Sequence, residues 1–173
     1  LQAPWNLFYL IFLIFPGLYL ALDHGIKFKS FPKNFLSTII ILGGFFYFYF
    51  LFGFSWIVSA FDYRSEMEIF KYLTLFGLPF LMLIFILPSF VILIIFWDKK
   101  INKVLSIALC ISIGEFIRGN IFTGFSWNNF SHAFVVNDSL MQIFSVTGQY
   151  LATFLLVLTA QFIIFLWKKN DIF

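Results

Sequence analysis

The 173-residue chain is 62% hydrophobic and only 11% charged, with a mean hydropathy of +0.98, whereas a soluble domain is about 45–50% apolar and about 25% charged. Too few polar residues are present to cover a water-facing exterior, but lipid accepts helices that are apolar all round. The net charge of +3 suits a protein beside anionic lipid and gives no reason to invoke a nucleic-acid partner.

A membrane-crossing helix needs about 20 mostly apolar residues to traverse a core of about 30 Å, and five stretches qualify. In chain order they are 5–22, 35–61, 69–97, 104–122 and 148–167. The expected fold is therefore all-α: a polytopic transmembrane helix bundle of about five spans, forming a single domain over 1–173. The second stretch contains Gly43, Gly44 and Gly53, and a run of aromatic residues from Phe45 to Phe54 that reads as packing or lipid-facing. The third is longer than a perpendicular crossing requires, and Pro79 and Pro88 mark expected kink points because each removes a backbone donor. Cys110 lies among apolar residues of the fourth stretch, the setting of an inert buried thiol.

Lys and Arg in the connections predict orientation. Lys27, Lys29, Lys33, Lys99, Lys100, Lys103, Lys168 and Lys169 alternate with connections that hold only Arg64, Lys71 and Arg118. The Lys-rich loops and the C-terminus are expected in the cytoplasm, with 61–69 and 119–147 outside. Leu1 stands where a reading frame would begin with Met, so the chain is expected to be a fragment.

The lone Cys110 excludes an internal disulfide, and His24 and His132 lack metal-ligand spacing. No cofactor or metal is expected. Ser131-His132 has no evident third member for a hydrolytic triad. The unusual polar residues are Glu115 and Arg118, three apart on one helical face and toward the outer end of the fourth stretch. Two readings stand: a polar site that anchors the following loop or meets a lipid head group, or an ion pair that fixes helix packing. Thr123-Gly124-Phe125-Ser126-Trp127 follows, with glycines suited to turns and aromatic rings suited either to interfacial anchoring or to a site.

These residues resemble the apolipoprotein N-acyltransferase family. Glu115-Phe116-Ile117-Arg118-Gly119 is similar to that family's Glu-aromatic-Leu-Arg-Gly run, and Thr123-Gly124-Phe125-Ser126-Trp127 to its Thr-Gly-Phe-Pro-Trp. Ala3-Pro4, Gly43-Gly44-Phe45-Phe46, Ser55-Trp56-Ile57 and the stretch from Gly148 to Phe154 match in the same order. Ser126 in place of Pro and Leu151 in place of Gly depart from the pattern. The resemblance implies an enzyme of the bacterial inner membrane. Such an enzyme moves an acyl chain from a membrane phospholipid, through a cysteine thioester, to the N-terminal diacylglyceryl-cysteine of a lipoprotein. It further implies that a Glu-Lys-Cys triad on a nitrilase-like domain performs the chemistry; no such domain is expected within these 173 residues. The chain by itself is expected to be inactive, with no catalytic residue assigned. Glu115, Arg118, Gly119, Thr123, Gly124, Phe125 and Trp127 become candidates for lipid binding or for docking that domain. The competing readings are a small transporter or channel subunit, and a noncatalytic membrane scaffold.

Overall fold

A computed structural model describes residues 8–26, 30–62, 65–97, 100–122 and 124–164. The elements are α1 (Ile11–Gly25), α2 (Phe31–Thr38), α3 (Gly44–Phe54), α4 (Glu68–Ile95), α5 (Lys100–Asn120), α6 (Asp138–Met141) and α7 (Ile143–Gln161). A π turn, Ile39–Gly43, joins α2 to α3, and a 3-10 segment, Ser55–Phe61, extends α3. Among the described residues there is no strand.

Four helices are long and apolar enough to cross a membrane: Phe8–Gly25, Phe31–Phe61, Glu68–Ile95 and Ile143–Gln161. The remaining expected span coincides with α5, whose 21 residues reach about 31 Å at 1.5 Å each. It is less apolar than the other four because it carries Lys100, Lys103, Glu115, Arg118 and Asn120. It packs against α4 on one side and α7 on the other, and Ile107, Ala108, Cys110 and Ile111 on it are fully buried. Leu105, Leu109 and Phe116 form an exposed apolar stripe on its outer side, so the buried polar residues are confined to the faces shielded by protein.

The span starts follow local chemistry. Ser30 precedes α2 in extended geometry, and Pro32 occupies the first turn, where its missing N–H costs nothing. α4 runs as one hydrogen-bonded helix through both Pro79 and Pro88, so neither proline ends it. The interruption falls elsewhere: Gly148, expected near the start of the last span, lies within α7 at φ 65° and ψ 175°. In α3 every fourth aromatic turns inward. Phe46, Phe50 and Phe54 are buried, whereas Phe48 and Phe52 are exposed, so the aromatic run both packs and faces lipid.

Between α5 and α7 the chain makes a 3-10 helix, Phe130–Val136. Its first residue plugs the bundle. The Phe130 ring stacks on Tyr49 at 4.2 Å between centroids and meets Phe15 edge-on at 5.4 Å, with Phe45 and Phe46 each 6.0 Å away. Such pairs add about 0.5–1.5 kcal/mol each beyond area burial. At the opposite end of α5, Lys103 pairs with Asp23 of α1 at 2.6 Å and lies 5.4 Å from the Trp97 ring centroid.

Close approach of α4 and α5 depends on Gly114. A methyl group there would lie 2.8 Å from Ile86 Cγ2 and 2.9 Å from Ser89 Oγ, both on buried residues of α4. Membrane helices associate through such small-residue contacts, since lipid provides no hydrophobic drive between them. Gly114→Leu is expected to destabilise the protein by about 1–3 kcal/mol through overpacking. Gly77→Ala, which meets only Leu73 Cδ1 at 3.8 Å, should leave the thermal unfolding midpoint in detergent unchanged.

Candidate functional site

Glu115 and Arg118 are 1% and 2% exposed. Buried charges in a membrane bundle must find partners within the protein. Theirs are not each other: among the described residues the ion pairs within 4.0 Å are Lys71–Asp62 and Lys103–Asp23. Both side chains reach into the segment that follows α5.

Arg118 clasps that segment twice over. Its Nη1 donates to the carbonyl oxygens of Phe125 at 2.6 Å and Trp127 at 2.8 Å. Its own carbonyl accepts from the Phe125 N–H at 3.0 Å. The guanidinium carbon lies 5.1 Å from the Phe50 ring centroid, within cation–π range. The turn that returns the chain to Arg118 needs Gly124, at φ 72°, because any side chain there would overlap the Gly119 carbonyl. Gly119 in turn leaves room for the Tyr150 hydroxyl of α7.

Glu115 holds the next few residues. One carboxylate oxygen accepts the Phe130 N–H at 3.1 Å, and the other accepts the Thr153 hydroxyl at 2.9 Å. Thr153 Oγ1 also lies 2.6 Å from Asn129 Oδ1, which accepts from the N–H and hydroxyl of Ser131 at 3.0 and 2.6 Å. Asn129 is thus the N-cap of the 3-10 helix. Tyr49 completes the set by donating to the Asn128 carbonyl at 2.9 Å. Side chains of α3 and α5 therefore converge on the backbone of 125–131, and Thr153 of α7 joins them through the side chains of Glu115 and Asn129.

Trp127 is carried by this fixed backbone; the residue is 57% exposed and its ring stacks on Trp56 at 5.0 Å. Phe125 is half-buried against Phe54 at 5.2 Å. Of the seven candidate residues, Glu115, Arg118, Gly119, Gly124, Phe125 and Trp127 gather at one end of the bundle, and Thr123 lies outside the described residues. Tyr49, Asn129 and Thr153 belong to the same network and were not singled out. Their separation in sequence hides them, although Thr153 falls within the stretch from Gly148 to Phe154 that carries the family resemblance. Cys110 is buried, with its Sγ 3.5 Å from Ser89 Oγ. Ser131 is engaged with Asn129 rather than with a base.

Helices of membrane-spanning length around a central polar helix define a polytopic α-helical membrane protein. The family model for the apolipoprotein N-acyltransferase N-terminal domain matches residues 1–162, and the chain belongs to that family. It is 33% identical over 165 residues to an apolipoprotein N-acyltransferase of Bradyrhizobium diazoefficiens and 30% identical over 160 residues to one of Rhodopseudomonas palustris. Each alignment covers 90% of this chain and 29% of the relative. An apolipoprotein N-acyltransferase of Rickettsia bellii is 31% identical over 127 residues, covering 71% of this chain and 25% of that protein. The chain thus spans less than a third of the length of the curated relatives it matches. No solved structure matches it.

Arg118 reaches both carbonyls through one nitrogen, Nη1; replacing it by Lys keeps the charge but loses the longer reach and the flat guanidinium that lies over Phe50. Arg118→Lys is expected to loosen 125–127, read as a several-fold rise in proteolytic cleavage after residue 122. Glu115→Gln should be milder than Glu115→Ala. The amide keeps an acceptor for Phe130 N–H and donates to Thr153, whereas Ala leaves both unmet at a cost of about 1–3 kcal/mol.

Proposed function

We propose that this chain forms the membrane domain of an enzyme that transfers an acyl chain from a phospholipid to the N-terminal diacylglyceryl-cysteine of lipoproteins in the bacterial inner membrane. The family membership supports the reaction class. The observation that carries the domain's role is the twofold clasp of Arg118 on Phe125 and Trp127. A buried cation is spent on the shape of one loop, so that loop is a preorganised platform rather than a free connection. In this reading it supports the catalytic domain and the lipids delivered to it. The platform faces the periplasm, and the Lys-rich loops face the cytoplasm.

The chemistry calls for a nucleophile that attacks an ester carbonyl, releases a lysophospholipid and holds the acyl group as a thioester. An amine then attacks the thioester, forming an amide and freeing the thiol. Cys110 does not meet that need: it is fully buried in the central helix. The 173-residue chain alone is therefore expected to show no acyl transfer to a diacylglyceryl peptide, and measurable transfer would overturn this expectation. In the full-length protein, Arg118→Ala and Trp127→Ala should lower lipoprotein acylation by about tenfold or more, as displaced positioning elements do. Undiminished acylation would remove the platform role.

Orientation has its own test. Val146, 86% exposed in the first turn of α7, is replaced by Cys; the native Cys110 is buried and contributes little background. A membrane-impermeant maleimide should label Val146→Cys in intact spheroplasts and Lys33→Cys only after permeabilisation. The reverse pattern would invert the topology.

A further inference from the structure

The chain enters its last span by way of a short helix, 138–147. Asn137 caps the start of this helix, its side chain accepting from the Ser139 N–H at 2.8 Å. α6 covers Asp138–Met141, Gln142 keeps helical angles at φ −60° and ψ −18°, and α7 begins at Ile143. The backbone therefore coils almost without pause as far as Thr147. Gly148 then stops it at φ 65° and ψ 175°, a region essentially closed to residues that carry a side chain. A methyl group at 148 would meet nothing within 4 Å. Conformation rather than space requires glycine there, so the change of course is built into the sequence.

Two observations put this break at the membrane surface. The chain from Gly148 to Ile164 offers 17 residues, about 25 Å at 1.5 Å each, enough for a crossing by itself. Asn120 Nδ2, at the end of α5, donates to the Tyr150 hydroxyl at 3.2 Å, so α5 ends level with the first turn after the break. The helix before the break is thus left over at that level, and it is amphipathic. Asp138, Gln142 and Ser145 recur at i, i+4 and i+7 along one face, and all three are exposed. Leu140, Ile143 and Phe144 share the opposite face. Leu140 is exposed and the other two are half-buried, with the Phe144 ring edge-on to Phe134 at 6.4 Å. Val146 falls on the polar side, beside Gln142.

A helix divided in this way lies in the plane of a bilayer interface, its apolar face about 5–10 Å into the boundary between head groups and acyl chains. No Lys or Arg stands between Gly119 and Gly148 in the sequence, so attraction to anionic head groups has no part in holding it. Covalent attachment to a membrane span makes such attraction unnecessary.

We propose that residues 138–147 form a surface helix lying along the lipid leaflet, held there by burial of Leu140, Ile143 and Phe144 against acyl chains and not by charge. The proposal rests on the bundle's crossing a bilayer and is independent of the reaction the bundle serves.

The test uses the full-length protein in nanodiscs of phosphatidylethanolamine and phosphatidylglycerol. A photoreactive benzophenone analogue of phenylalanine replaces Leu140, Gln142, Phe144 or Ser145, one at a time, and adducts formed on irradiation are identified by mass spectrometry. Phe144 is itself aromatic and the other three side chains are exposed, so each position accepts the probe. Phospholipid adducts are expected several-fold more often from 140 and 144 than from 142 and 145. Replacing phosphatidylglycerol by phosphatidylcholine should leave that ratio unchanged. Adducts from 140 joining it to another part of the protein would show the apolar face covered by protein and overturn the proposal. Equal lipid yields from both faces, or no lipid adducts from either, would overturn it as well. A several-fold fall in the ratio without phosphatidylglycerol would overturn the claim that charge plays no part.

Discussion

Irregular backbone at the edge of a membrane bundle has to satisfy its N–H and C=O groups from within the protein, because lipid offers no partners. The segment from Gly124 to Ser131 lies under that constraint, and much of the structure answers it. Arg118 supplies donors to two carbonyls, Tyr49 to a third, and Glu115 an acceptor for the Phe130 N–H. These side chains come from separate spans, so the loop can take this shape only when α3 and α5 are already packed. Thr153 adds α7 to the same requirement through Glu115 and Asn129. Tertiary packing and loop conformation are thus one event rather than two.

The constraint also explains the bundle's composition. The face that carries Glu115 and Arg118 cannot meet lipid, and α5 buries both while packed against α4 and α7. Gly114 lets α4 come close enough to provide that enclosure. The Phe130 ring closes the top of the bundle against Tyr49, Phe15, Phe45 and Phe46. Removing the loop would leave an aromatic socket open, take both carbonyl partners from Arg118 and leave Glu115 with Thr153 as its remaining partner. About 22 Å away along α5, at 1.5 Å per residue, Lys103 and Asp23 tie the other end to α1. The two polar layers bracket an apolar middle, which is the distribution expected of a bundle with lipid around it.

Much of this could be read from residues alone. The apolar stretches predict the helices because lipid length and side-chain hydropathy act locally. Glu115 and Arg118 stood out because charge inside an apolar run is costly wherever it occurs. Their partners did not stand out. A spacing of three suggests a mutual pair, but helical proximity only makes such a pair available. The carbonyls of Phe125 and Trp127 compete for the same guanidinium, and backbone acceptors leave no trace in a sequence. Pro79 and Pro88 mark expected kink points within one span, and α4 does run through both as a single helix. The interruption at Gly148 could not be told from Gly43 or Gly44, which stay helical, because glycine permits a positive φ without requiring one.

How the polar groups are spent bears on what the bundle can do. A transporter keeps ionisable groups near the bilayer midplane, at broken helices in two related halves, where they bind cargo in alternating states. Here both buried charges serve one loop at one end of one helix. Freeing either would expose unmet donors and acceptors to lipid, a penalty that holds the loop in a single state. A rigid end suits a part that presents something, and Trp127 is the residue it presents: the residue is more than half exposed while its carbonyl is held by Arg118. Asn128 points the same way. Its left-handed backbone is retained beside that tryptophan although Gly was available to the sequence at Gly124, four residues earlier. A side chain is needed at 128, and the neighbouring carbonyl bonds maintain the conformation that places it against Gly53.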